Sequence, residues 1–135
     1  MTGDITVSGT KSFSGTILAT LNPFRYGVGA GGTITQTNSK SDPVTLNKCS
    51  GKITMHNASL PANSVVLFTF NNSKIGDSDL LLLAIDAGNI ANTSNYRIWH
   101  SPTVNAAVIA VENRSASALS ESIVIRFGVI GLSTT

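Results

Sequence analysis

The sequence predicts an all-β chain, a jelly-roll-like antiparallel β-sandwich preceded by an extended N-terminal arm. Three observations carry this. Short segments alternate apolar and polar residues at period two, as half-buried strands do. Clusters of Gly, Pro, Asn, Asp and Ser separate those segments every few residues. Charged residues make up only 12% of the chain, against about 25% in an average soluble domain. The remaining polar residues are mostly Ser, Thr and Asn, which suit strands and turns better than helices.

In chain order, residues 1–32 form the arm and a joint. Ile5-Thr6-Val7 and Ser14-Gly15-Thr16-Ile17-Leu18 are short β-like pieces. Gly27-Val28-Gly29-Ala30-Gly31-Gly32 places four glycines in six residues. Glycine loses the most entropy on ordering, so this stretch is expected to be a flexible joint rather than the interior of an element. The arm carries Phe13, Ile17, Leu18, Leu21, Phe24 and Tyr26. That apolar surface packs either on its own domain or on a neighbour, and these six residues are the candidate partner contacts.

The sandwich is expected over residues 33–135. Thr33–Thr37 is followed by the break Asn38–Pro43. Val44–Lys48 and Lys52–His56 are expected to pair as a hairpin through Cys49-Ser50-Gly51. In Ser64–Phe70, Val66, Phe68 and Phe70 share one face. Asp79–Ile85 is a continuous apolar run between turn residues, which predicts a strand buried on both faces. Tyr96–His100 stops before Pro102, and Val104–Glu112 sets Ala107, Ile109 and Val111 on one side. Ile123, Ile125, Phe127 and Val129 make the clearest alternation of all. This gives about eight strands and no helix, a number that favours a two-sheet jelly roll. An immunoglobulin-like sandwich is the second choice, and it would have no need of the arm.

A chain of 135 residues is the size of one domain and buries enough surface for one core. Hydrophobic residues at 41% and a mean hydropathy of +0.20 set it apart from disordered chains. The net charge of +2 comes from scattered Lys and Arg, without the basic run or aromatic interleaving that nucleic acid requires, so no nucleic-acid partner is expected. The opening Met1–Phe13 has neither a basic nor an apolar signal region, and no export is expected. The apolar run Leu80–Ile85 is too short to span a bilayer, so no membrane partner is expected. Cys49 is the only cysteine and makes no internal disulfide.

The chemistry of catalysis is sparse. His56 and His100 fall in separate segments, and neither CxxC nor HxxxH occurs, so no metal and no cofactor are expected. The acids Asp4, Asp42, Asp77, Asp79, Asp86, Glu112 and Glu121 lie mostly at turns, where carboxylates accept backbone hydrogen bonds. Asp77-Ser78-Asp79 lacks the ligand series of a calcium loop. Gly27, Gly29 and Gly32 fit G-x-G-x-x-G in spacing, but no helix pattern follows them. No G-x-S-x-G elbow seats a serine nucleophile. The expectation is a non-enzyme with no catalytic residue. The sequons at Asn57, Asn71, Asn92 and Asn113 follow from the abundance of Asn and Ser. Tyr96, Arg97 and Trp99 form an aromatic-plus-arginine group of the kind that anchors interfaces. Period two puts Arg97 and Trp99 on one face and Tyr96, Ile98 and His100 on the other, so at least one aromatic belongs to the core.

Three segments, Gly32-Thr33-Ile34-Thr35-Gln36-Thr37-Asn38-Ser39-Lys40-Ser41, Val44-Thr45-Leu46-Asn47-Lys48 and Gly51-Lys52-Ile53-Thr54-Met55, form one opening pattern. Near the other end stands Glu112-Asn113-Arg114-Ser115-Ala116-Ser117-Ala118-Leu119-Ser120-Glu121, followed by an alternating apolar strand. Together these resemble small virion structural proteins of tailed bacteriophages, of the head-decoration or cement type. The resemblance covers residues 32–130 and brings no catalytic residues with it.

It implies a protein made in the bacterial host cytoplasm and located on the virion, at the capsid surface. Its partners would be the major capsid protein and its own copies, as a homotrimer. A cement protein bonds subunits across lattice seams and so resists the outward push of packaged DNA. The arm would act as its clamp, burying apolar residues on a neighbour. The other function open at this point is a tail-fibre or receptor-binding module that recognises a host-surface glycan. Such a site gathers exposed aromatics in a concavity, and only Tyr96 and Trp99 offer themselves as platforms.

Overall fold

The computed structural model describes residues 8–9, 25–86 and 90–132. Phe13, Ile17, Leu18, Leu21 and Phe24 lie outside the described residues. Among the described residues there are eight strands: β1 Gly31–Thr35, β2 Val44–Thr45, β3 Ser50–Thr54, β4 Ser64–Asn71, β5 Leu80–Asp86, β6 Tyr96–Thr103, β7 Ala106–Asn113 and β8 Val124–Ile130. Among the described residues the only helical turn is a 3-10 turn at Thr93–Asn95. The strands form two four-stranded sheets, sheet A in the order β1-β3-β8-β5 and sheet B in the order β2-β4-β7-β6. The all-β sandwich is therefore the observed architecture.

Both sheets are mixed, whereas a purely antiparallel sandwich was expected. β1 runs parallel to β3, and β2 runs parallel to β4. The hairpin expected across Cys49-Ser50-Gly51 does not form, because β2 lies in sheet B and β3 in sheet A. The chain between them is bound to the end of β4 and beyond it. Leu46 N donates to Asn71 O at 3.0 Å, and Asn72 Nδ2 donates to Lys48 O at 2.8 Å. The connection therefore crosses from one sheet to the other instead of turning back.

Two of the glycines assigned to a flexible joint, Gly31 and Gly32, belong to β1. Glycine is needed in this part of the sheet by close approach. A Cβ at Gly51, the partner of Gly32 in register, would stand 2.3 Å from Gly32 O and 2.9 Å from Phe127 Cε1. The absent side chains let β1 lie tight against β3 while the Phe127 ring passes across Gly51.

The core follows the alternation. Val66, Phe68 and Phe70 of β4 face inward opposite Val111, Ile109 and Ala107 of β7, so the Phe70 ring meets the smallest of the three facing side chains. From sheet A come Ile53, Leu81, Ile125, Phe127 and Val129. Phe70 and Phe127 meet edge to face across the two sheets, with ring centroids 4.8 Å apart. Met55, Leu60, Ile75 and Ile123, from the connections, close the ends of the core.

The polar residues of the opening pattern hold loops to this core. Gln36 is buried, and its Nε2 donates to Lys40 O and Asp42 O while its Oε1 accepts from His56 N. Lys40 is buried too, and its Nζ donates to His56 O at 2.5 Å and Glu121 O at 2.6 Å. Asp42 accepts from Ser39 Oγ and Asn38 N, both at 2.7 Å, and these bonds hold its carboxyl below the ordinary range. A charged ammonium is costly to bury and is retained where hydrogen bonds satisfy it. Here it joins three separate stretches of chain.

Candidate partner-binding surfaces

Strand alternation decides which side chains reach the surface. On β6 it turns Tyr96, Ile98 and His100 inward and Arg97, Trp99 and Ser101 outward. Of the two aromatics picked out in the sequence, Tyr96 is the core residue. Its hydroxyl donates to Glu121 Oε2 at 2.6 Å, and burial, then this bond, pushes its pKa well up. Trp99 is 39% exposed. The Arg97 guanidinium lies over the Trp99 ring at 5.1 Å and reaches Glu112 Oε2 at 3.9 Å. The cation fixes the indole and leaves much of it open to solvent.

Register extends this pair into a surface. Trp99 of β6, Ala110 of β7 and Leu67 of β4 stand in one row across the outer face of sheet B. Ala110 is only 2% exposed although it points outward, as expected of a small residue between two large ones. Val65 and Val108 flank the row and are exposed. Sequence reasoning found Trp99 and Arg97 here but missed the apolar neighbours. Val65-Val66-Leu67-Phe68 carried the signal, since a strand with one wet face does not place apolar residues at four successive positions.

The outer face of sheet A is divided. One half is charged: Asp86 accepts from Arg126 Nε at 2.9 Å and lies 3.3 Å from Lys52 Nζ. The other half is apolar, with Leu80 opposite Ile130 and Leu82 opposite Gly128. Here the expectation of a fully buried β5 is corrected. β5 is an edge strand of sheet A, and Leu80 and Leu82 face outward and are exposed while Leu81 is buried.

Of the six candidate partner contacts in the arm, Tyr26 is the one among the described residues. Its ring lies over Gly128, 4.0 Å from where a Cβ would stand, and its hydroxyl donates to the Val129 carbonyl. Burial, then the Cys49 thiol group, pushes its pKa up. Beside it opens a groove of about 690 Å³ lined by Arg25, Tyr26, Cys49, Lys74, Asp79 and Ile130 among others. Asp79 is already engaged, accepting from Gly76 N at 2.7 Å and Leu132 N at 3.2 Å. Neither described histidine lines the groove, so Cys49 has no imidazole base beside it.

Among the described residues no three His, Cys, Asp or Glu side chains come together to hold a metal ion. No described helix is long and apolar enough to cross a membrane. The arrangement is one of surfaces: an apolar outer face on sheet B that carries a stacked Arg–Trp pair, and an apolar half of the outer face of sheet A. Comparison with known protein families, with curated proteins and with solved structures finds no match.

Proposed function

We propose that the chain is a shell component of a tailed bacteriophage, a decoration or cement protein that binds the major capsid lattice and stabilises the head. The observation that carries this is the two-sided apolar surface. Leu67, Trp99 and Val108 on one outer face, and Leu80, Leu82 and Ile130 on the other, are all exposed. Contiguous apolar surface marks interaction sites, and a protein seated in a lattice has neighbours on more than one side. A surface poor in charge is weakly repelled by its own copies, which suits a protein used in many copies. The resemblance of residues 32–55 and 112–121 to small virion proteins adds the kind of assembly.

On this reading the role is mechanical. The domain binds across a seam between capsid subunits, and its apolar faces and the arm supply the bonds that resist internal pressure. It works at the capsid surface, as a homotrimer, without cofactor or catalysis. Co-sedimentation with expanded, undecorated capsids tests it: full-length protein pellets with the particles, and protein lacking residues 1–24 binds less. A full-length protein that stays in the supernatant sinks the reading.

Trp99 favours one other reading. An exposed indole held by a guanidinium is a platform on which a sugar ring can stack, as in a tail module that recognises a host glycan. In that case Trp99→Ala removes binding of the purified protein to host cells. Unchanged binding rules this out.

A further inference from the structure

We propose that the free edge of β5 is a self-association edge, on which β5 of a second copy pairs antiparallel so that sheet A continues across a two-fold axis. The two sheets end in four edge strands, β1 and β5 in sheet A and β2 and β6 in sheet B. An edge strand exposes unpaired N–H and C=O groups, and natural proteins blunt it with short length, charge, proline or a cover. Three of the four edges are guarded in this way. β2 has two residues. β1 has five, of which two are the glycines Gly31 and Gly32. β6 is long but carries Arg97 and Pro102, and proline removes a backbone donor.

β5 has none of these guards. Leu80-Leu81-Leu82-Leu83-Ala84-Ile85 holds no charge, no proline and no glycine. Among the described residues the backbone of Leu80–Ile85 bonds to β8 and to no other segment. Its outward side chains Leu80 and Leu82 are exposed. A strand that completes this edge must match its length and be apolar on both faces, and the one described strand that does so is β5 itself. With Leu82 on the two-fold axis, Leu80 stands opposite Ala84 and Leu81 opposite Leu83. Large side chains then meet small ones on the outer face, as Phe70 meets Ala107 within sheet B. Asp86 falls outside the paired stretch and keeps Arg126 and Lys52. The contact uses the same edge on both copies, so it closes at two and does not propagate into a fibre.

The inference does not depend on the capsid reading, which capsid binding tests separately; in a lattice the contact would join copies of neighbouring homotrimers. Amide hydrogen exchange on the full chain tests it, comparing dilute with concentrated solution. Wild type gains protection at residues 80–85 on concentration, and β6 does not. Leu82 is 50% exposed and points away from the core, so Leu82→Lys and Leu82→Glu keep the fold. Each sets like charges opposite one another on the axis and weakens the association by at least about tenfold. An equimolar mixture of the two variants, which sets opposite charges there, restores the protection. Protection at residues 80–85 that is the same at every concentration overturns the proposal. So does a gain that neither charge weakens, or a mixture that restores nothing.

Discussion

Tyr26 covers a bare position on the outer face of sheet A, its ring lying over Gly128. A Cβ at Gly128 would meet the ring at 4.0 Å, an ordinary contact, whereas one at Gly51 would stand 2.3 Å from Gly32 O. The two glycines thus have opposite meanings. Gly51 is required by the approach of two backbones, and Gly128 is merely tolerated beneath an aromatic ring.

The pair makes a direct test. Gly128→Ala keeps the stability or raises it by up to about 1 kcal/mol, because alanine loses less entropy on folding. Gly51→Ala must push β1 off β3 and costs about 2 kcal/mol or more. Urea denaturation of the two variants checks both values, and equal stabilities would contradict the packing described.

Asn113 is the most heavily bonded buried side chain. Its Nδ2 donates to the carbonyls of Leu60, Pro61 and Ser117, and its Oδ1 accepts from Ser115 N and Oγ. Asn113→Ala strands several buried polar groups and lowers stability by about 2–3 kcal/mol. The Asn113→Asp variant places a carboxylate against three carbonyl oxygens and is worse at neutral pH than in acid. Denaturation midpoints at neutral and acidic pH measure both effects.

The strands were legible where one face was apolar. Val66-Phe68-Phe70 and Ile123-Ile125-Phe127-Val129 alternate cleanly, and the structure buries all but the half-buried Val66. The partners of β2 and β3 were not legible. Their separation rests on hydrogen bonds from Leu46 and Asn72 to residues far away in sequence, which no local pattern announces. Nor could the run Leu80–Leu83 reveal its place in the sheet. Period two cannot tell a strand covered on both sides from an edge strand with an uncovered apolar face. Tyr96 and Trp99 could be assigned to opposite faces but not to inside and outside, which only the sheet packing decides.

Stability falls in alkali because of Tyr96. Burial, then the Glu121 hydrogen bond, raises its pKa above the ordinary 10.0. Below about pH 10 both folded and unfolded chains keep the proton and the contribution is complete. Above it the unfolded chain ionises first, so stability is lost as pH rises toward the folded pKa. Tyr96→Phe loses about 1 kcal/mol of hydrogen bonding at neutral pH but shows a shallower alkaline decline. Urea midpoints from about pH 8 to about pH 11 compare the two. Parallel declines would contradict the assignment.

His100 points inward on β6 opposite Ile109, and its Nδ1 is buried with no hydrogen-bond partner. Removing that cost, His100→Leu leaves stability unchanged or raises it by about 1 kcal/mol. A clear loss of stability would mean that the imidazole has a partner in solution.

The central claim is that the sandwich is a lattice component, and imaging tests it most directly. The purified 135-residue chain is mixed with expanded, undecorated capsids of tailed bacteriophages, and the particles are reconstructed by electron cryo-microscopy. The account predicts regular added density at seams between major capsid subunits or at local threefold positions, with one or both apolar faces of the sandwich against a neighbour. Bare capsids under conditions where the protein is folded, with the protein instead bound to host cells, would contradict it.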